Sequence, residues 1–309
     1  MKCIETLARV NVLCVDKTGT ITENTMEVNG EIPMDGYDSQ SMAPLKQIIS
    51  DFASAMSSDN ITMKAMKDYF NKPSGRKAVS VSPFSSQFKY SGAAFEDGSY
   101  VLGAPEFVLR EDYDNYREQI EQYSSEGYRV LVFGIYDGVI DGKALTGKVT
   151  PIGLVFLSNP IRKEAPETFK YFENQGVEIK VISGDNPVTV SQVALQAGIA
   201  NADNYIDAST LTTDEAIEDA VLRYTVFGRV TPDQKRKFVR ALKKAGRTVA
   251  MTGDGVNDVL ALKDADCSVA MASGSDAAAQ ASQLVLLDSN FACMPSVVME
   301  GRRVVNNIE

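Results

Sequence analysis

Four aspartates define the chemistry open to this chain. Asp16 ends the run Val12-Leu-Cys-Val and opens Lys17-Thr18-Gly19-Thr20. Asp185 follows Ser183-Gly184 after a second apolar run, and Asp254 follows Thr252-Gly253 after a third, with Asn257 and Asp258 close behind. A carboxylate closing an apolar, β-branched run sits where a buried strand opens into a loop. In open α/β sheets, ligands bind just beyond those carboxyl ends. With no histidine or cysteine beside it, Asp16 is a candidate metal ligand or nucleophile. Gly19 frees the backbone to turn, and Thr18 and Thr20 can offer hydroxyls and N–H groups to a phosphate. Taken singly, a loop aspartate is usually a turn or a cap; its recurrence at strand ends overturns that reading. If those ends converge, Asp16, Asp254 and Asp258 repel one another, which implies a hard cation. With oxygen ligands and a phosphate substrate, Mg²⁺ is the natural choice.

The elements that must position these residues alternate strand and helix. Strands are expected at 12–15, 178–182, 224–227, 248–251, 267–270 and 283–287, with helices at 163–175, 188–196 and 231–244. Thr231-Pro232-Asp233 is a strong helix start, and Gly246 a stop. Alternation of this kind means a parallel sheet covered on both faces. Between these parts the texture changes. Helices at 43–56, 62–70 and 113–124, a short one from Pro105, and strands at 128–136 and 152–157 read as an inserted α+β domain on an antiparallel sheet. A loop and strand cover 75–83, and a hairpin spans 88–103 around Glu96-Asp97-Gly98, an Asp-Gly turn. The expected division is 1–25 with 158–309 for the outer domain and 26–157 for the insertion, with hinges near 22–26 and 158–160. Residues 1–11 read as a short helical lead-in.

Composition removes several classes. The length of 309 residues leads to an expectation of two domains, or one with a large insertion, and the net charge of −10 disfavours a general nucleic-acid binder. Histidine is absent, which removes Ser-His-Asp and Cys-His catalysis and most zinc sites. Cys3, Cys14, Cys267 and Cys293 form no Cys-x-x-Cys pair; Cys14 and Cys267 lie in apolar runs and read as core. No stretch approaches the roughly 18 apolar residues that span a bilayer, and no signal-peptide pattern opens the chain. Lys235-Arg236-Lys237 reads by default as a solvated helix face.

Asp16-Lys17-Thr18-Gly19-Thr20 resembles the phosphorylation motif of P-type cation-transporting ATPases, a branch of the haloacid dehalogenase superfamily, and later segments extend the likeness. The resemblance implies a Rossmann-like, haloacid-dehalogenase-type parallel sheet with an inserted nucleotide-binding domain. It implies that ATP phosphorylates Asp16, and that Asp16, the Thr18 carbonyl and Asp254 hold Mg²⁺. Ser183 and Asp185 match the residues that hold the transferred phosphoryl group. Lys235, in Gly228-Arg-Val-Thr-Pro-Asp-Gln-Lys235, matches the lysine that neutralises its charge, and Asn257 and Asp258 match the loop that completes the site. Positioning and electrostatics are what phosphoryl transfer mainly requires. Phe84-Ser-Ser-Gln-Phe-Lys89 resembles the segment whose phenylalanine stacks on adenine and whose lysine faces the nucleotide. Gly103-Ala-Pro-Glu106 resembles the turn beside it, Asp59 or Asn60 is a further candidate adenine contact, and Arg162 matches the arginine of the hinge.

Three positions discriminate. Thr18 stands where phosphatases of the superfamily carry a general acid–base aspartate, so an acyl-phosphate on Asp16 should persist. Leu102 replaces the family's usual lysine before Gly-Ala-Pro-Glu, and Asn159 replaces the aspartate of its Asp-Pro-Pro-Arg hinge. The likeness runs from Thr6 to the tail Gly301-Arg-Arg-Val-Val-Asn-Asn-Ile308, which resembles the stalk leading to the next membrane helix. The expectation is therefore the soluble catalytic part of a pump on the cytoplasmic side of a membrane, lacking its actuator and transmembrane domains and binding no transported cation itself. The rivals are a free-standing phosphatase of the same superfamily and a non-catalytic nucleotide-binding module.

Overall fold

A computed structural model describes residues 2–306, with side chains described for residues 5–303. The Cys3 side chain and the last residues of the stalk-like tail lie outside the described residues. The chain divides into two compact units: one runs to Asn24 and resumes at Pro160, and the other is Thr25–Asn159.

The first unit is built on a seven-stranded, wholly parallel sheet. In spatial order its strands are Leu284–Leu286, Cys267–Met271, Val249–Gly253, Val12–Val15, Glu178–Ile182, Val226–Gly228 and Tyr205–Asp207. Val12–Val15 is central because all four side chains are apolar and fully buried, which only a strand covered on both faces permits. Period-two alternation sends Leu13, Val15, Ile179 and Val181 into one core and Val12, Cys14, Ile182 and Met251 into the other. Burial pushes the Cys14 thiol up to about 12, as suits an inert core residue. The chain leaves Val12–Val15 towards Glu178–Ile182 on one side and later returns to Val249–Gly253 on the other. The strand order thus reverses at Asp16, a topological switch point where crevices form.

The second unit carries a six-stranded antiparallel sheet in the order Glu27–Pro33, Val149–Ser158, Arg129–Tyr136, Gly98–Gly103, Tyr90–Phe95, Ser80–Ser82. Helices Leu45–Ala55 and Ile61–Tyr69 pack on the face bearing Tyr100, Leu102, Leu131 and Phe133. Helices Pro105–Leu109 and Tyr113–Ser125 supply apolar residues to the core on the other face, with Val101, Val130 and Val132.

The hairpin differs from its expected form. Phe95 pairs with Gly98, so Glu96-Asp97 alone make the turn and Gly98 begins the return strand. Edge strand Glu27–Pro33 escaped the sequence reading because a register shift between Val28 and Gly30 breaks its alternation. Tyr205–Asp207 was missed as well, since three residues give too short a pattern to register, and so was helix Asp214–Arg223. The lead-in is a helix, Lys2–Ala8, lying beside Met294–Asn306.

Candidate active site

Three adjacent parallel strands deliver the carboxylates. Cys14 lies level with Met251 and Val15 with Val181, so the chain exits side by side at Asp16, Ser183 and Asp254. After Asp16 the backbone makes a tight loop. The Asp16 carboxylate accepts the Lys17 N–H at 2.8 Å, and the Thr22 N–H closes onto the Lys17 carbonyl at 3.1 Å. Gly19 sits at φ +80°, and a Cβ there would fall 2.1 Å from Asp254 Oδ2. Only glycine lets the loop pass so close to that carboxylate. Thr18 is half-buried beside it.

Lys235 is the pivot. The capping box of Thr231 and Gln234 starts helix Pro232–Lys244, which places Lys235 in its first turn, 4% exposed. Its Nζ donates to Asp16 Oδ2 at 3.0 Å and to Asp258 Oδ1 at 2.6 Å. The other oxygen of Asp258 accepts the N–H groups of Asp254 and Gly255 at 3.2 and 3.1 Å, so Asp258 ties the lysine to the loop bearing Asp254. A second brace comes from Ser275, whose N–H donates to the Asp254 carbonyl at 2.6 Å. Gly274 permits that approach, since a Cβ there would lie 2.6 Å from the same carbonyl.

Asp16, Asp254 and Asp258 bring carboxylate oxygens within 4.8 Å of one another. Against these three charges stand the Lys235 ammonium and, at longer range, the Arg162 guanidinium, which still leaves an excess of negative charge. Burial, and after it Asp258, pushes the Asp16 carboxyl up to about 7 despite Lys235, and pushes Asp254 up to about 6. On Lys235, the attraction of Asp16 and Asp258 outweighs burial, which alone would lower it, and holds the ammonium above the ordinary lysine value. An all-oxygen donor set with surplus negative charge fits a divalent hard cation such as Mg²⁺.

A pH dependence follows from these shifts. Both carboxyls have folded values above the ordinary 3.8, so the folded state holds extra protons in between. Their contribution to stability is complete below about 3.8 and is lost as pH rises through about 6 and about 7. Without divalent cation, the melting temperature of Asp16→Asn should therefore fall less than wild type between those limits. Added Mg²⁺ should raise the wild-type value more above pH 7 than near pH 5. Thermal melts with and without chelator check both, and parallel curves for the two proteins would contradict the assignment.

The remaining expected residues fall in different places. Ser183 is buried, and its hydroxyl accepts the Asp185 N–H at 3.2 Å. Asp185 receives the buried Lys17 ammonium at 2.5 Å. The sequence signal for Lys17 is its place as a cation beside the candidate nucleophile; the structure adds its partner, Asp185. Thr252 was missed; its hydroxyl shares a 3.2 Å hydrogen bond with that of Thr20, joining the Asp16 loop to strand Val249–Gly253. Arg162 donates to the carbonyls of Gly19 at 2.9 Å and Thr22 at 3.2 Å, so it holds the Asp16 loop in shape. Asn257 is exposed at the rim.

In the second unit, Phe84 is 43% exposed, which rules out a core role. It opens a loop in which Lys89 adopts φ +56° and presents its carbonyl to the Ala104 N–H at 3.0 Å, beside Gly103 at the strand end. Phe84–Lys89 and Gly103–Ala104 are thus neighbours. Leu102 is buried in the core beneath the helices. Asn60 spends its side-chain oxygen capping helix Ile61–Tyr69, and Asp59 accepts the Ser57 hydroxyl, so both are engaged in local turns.

A parallel sheet that presents strand-end carboxylates and a buried lysine at its switch point is the framework of a haloacid-dehalogenase-type hydrolase. Residues 10–266 match the profile of the haloacid dehalogenase-like hydrolases, and the chain belongs to that family. Over its full length it is 45% identical to a calcium-transporting ATPase, CtpE, of Mycobacterium bovis, and 42% identical to a probable cation-transporting ATPase, exp7, of Streptococcus pneumoniae. It spans 38% and 39% of those proteins. A zinc-transporting PIB-type ATPase crystal structure shares the fold, with a TM-score of 0.63 over 99% of this chain and 43% of that one, at 20% identity. The kinship to P-type cation pumps read from the Asp16 motif thus extends along the whole chain. Among the described residues no helix is long and apolar enough to cross a membrane.

Proposed function

We propose that this chain is the catalytic part of a P-type cation-transporting ATPase in which Asp16 accepts the γ-phosphoryl group of ATP. The observation that carries this reading is the Lys235 ammonium shared between Asp16 and Asp258, with Asp254 alongside. A carboxylate oxygen of Asp16 attacks the γ-phosphorus, the bond to the bridging oxygen of the β-phosphate breaks, and ADP leaves with that electron pair. Lys235 remains protonated throughout and faces the charge gathering on the phosphoryl oxygens. The Thr18 carbonyl, Asp16 and Asp254 would hold Mg²⁺, which supplies charge neutralisation at the phosphate. Ser183 and the Lys17-bound Asp185 flank the loop that receives the phosphoryl group. Phe84 and Lys89 are assigned to the adenine and phosphate ends of the nucleotide, with Gly103 letting their loop pack close. Arg162 serves by holding the Asp16 loop. Cation transport belongs to the whole pump, with further domains supplying the ion path and the dephosphorylating step.

Thr18 separates this reading from a phosphatase. It offers no carboxylate to activate water, so the acyl-phosphate should outlast the transfer step. Thr18→Asp should speed its hydrolysis by about 10²-fold, the lower range of general acid–base assistance. The test is the decay of acid-stable label after a chase of unlabelled ATP. Rapid steady turnover of p-nitrophenyl phosphate by the unaltered chain would instead favour the phosphatase reading.

A further inference from the structure

The second unit contains a cavity that the proposed chemistry does not use. It holds about 680 Å³ and lies where the start of helix Leu45–Ala55 meets the end of helix Ile61–Tyr69. Lys46, Gln47 and Ser50 line it from the first helix, and Tyr69, Asn71 and Lys72 from the second helix and the segment after it. That volume is typical of small-molecule sites.

Its charge is the unusual feature. The whole chain carries 41 acidic against 31 basic residues, yet two lysines and no acidic residue line this cavity. A concave surface of one sign concentrates ions of the other. Lys46 is not loose: its ammonium lies 4.2 Å from the centre of the Tyr69 ring, which keeps the charge at the cavity wall. Ser50, buried beneath, donates to the Lys46 carbonyl at 2.7 Å and fixes the turn that carries it. Helix Leu45–Ala55 starts at Pro44 without a side-chain cap, so its positive end adds to the same field. Gln47 and Asn71 supply neutral amide groups beside the two cations.

We propose that this cavity is a binding site for a small polyvalent anion of the phosphate class, separate from the Phe84–Lys89 segment and from Asp16. Exposed lysines usually serve only to solvate a surface. What distinguishes a site is one saturable, salt-sensitive binding event that depends on both of them. The phosphate could be free, as pyrophosphate, or the tail of a nucleotide.

The test is calorimetric titration of the full chain with pyrophosphate and, separately, ATP, in chelator so that no divalent cation bridges a phosphate to the aspartates. One pyrophosphate should bind per chain. Lys46→Ala and Lys72→Ala, both at exposed positions, should each weaken binding by about tenfold, and added salt should weaken it further. Lys143→Ala, at an exposed lysine outside both this cavity and the Phe84–Lys89 segment, should leave pyrophosphate binding unchanged. If ATP binding survives Phe84→Ala but falls with Lys72→Ala, the nucleotide tail is also an occupant; if not, free phosphate is the ligand. Absence of saturable binding at millimolar pyrophosphate would overturn the proposal. So would binding lost with Lys89→Ala and kept in both cavity variants, since the anion would then occupy the nucleotide segment. Neither result would bear on phosphorylation of Asp16.

Discussion

Lys235→Met should slow phosphorylation of Asp16 by about 10²–10³-fold and strongly destabilise the first unit at neutral pH. The ammonium is nearly inaccessible and is the only cation bonded to Asp16 and Asp258 among the hydrogen bonds described for them. Removing one partner of a buried ion pair leaves uncompensated charge, which typically costs about 3–5 kcal/mol. A domain has only about 5–15 kcal/mol in total, so the melting temperature should drop by many degrees. The loss should shrink as pH falls, because protonation relieves the repulsion among the carboxylates. Loss of a donor aimed at developing charge costs about 10²–10³ in rate. Mg²⁺ separates the two effects. A divalent cation can restore much of the missing positive charge and hence the melting temperature, but it cannot replace the Nζ donor. A Lys235→Met protein that melts normally without divalent cation would contradict the geometry, and one that labels normally would contradict the role.

Gly19→Ala is expected to be nearly as damaging from a single methyl group. The added carbon would lie 2.1 Å from Asp254 Oδ2 and 2.8 Å from its Cγ, and the backbone at φ +80° disfavours any side chain. Either the loop retreats and carries Asp16 with it, or Asp254 swings away from its place beside Asp16. A misplacement of about 1 Å can lower a rate by about 10²-fold. Formation of labelled intermediate should fall by that order, while nucleotide affinity at Phe84–Lys89 stays the same. Paired measurements of ATP binding and labelling check this; full labelling of Gly19→Ala would show that the Asp254 carboxylate at that position is dispensable.

How much could be read in advance follows from the range of each interaction. Asp16, Asp185 and Asp254 were legible because a parallel sheet aligns strand ends whatever their separation in the chain. Helix Pro232–Lys244 was legible because its capping residues are adjacent in sequence. Contacts made by long side chains across loops were not. Nothing local links Lys17 to Asp185, 168 positions away, or Arg162 to the Gly19 carbonyl. Gly274 looks like any loop glycine until its neighbour is seen to be the Asp254 carbonyl. Asn60, drawn in by resemblance, also takes a role ordinary for its type, a helix cap. Irregularity hid the edge strand at Glu27–Pro33, and the Asp-Gly dipeptide misplaced the turn by one residue.

The most direct measurement is acid-quenched labelling of the intact pump containing this chain with γ-labelled ATP and Mg²⁺. The expected result is a covalent mark that hydroxylamine removes and that Asp16→Asn abolishes. A mark that resists hydroxylamine, or that persists in Asp16→Asn, would contradict it.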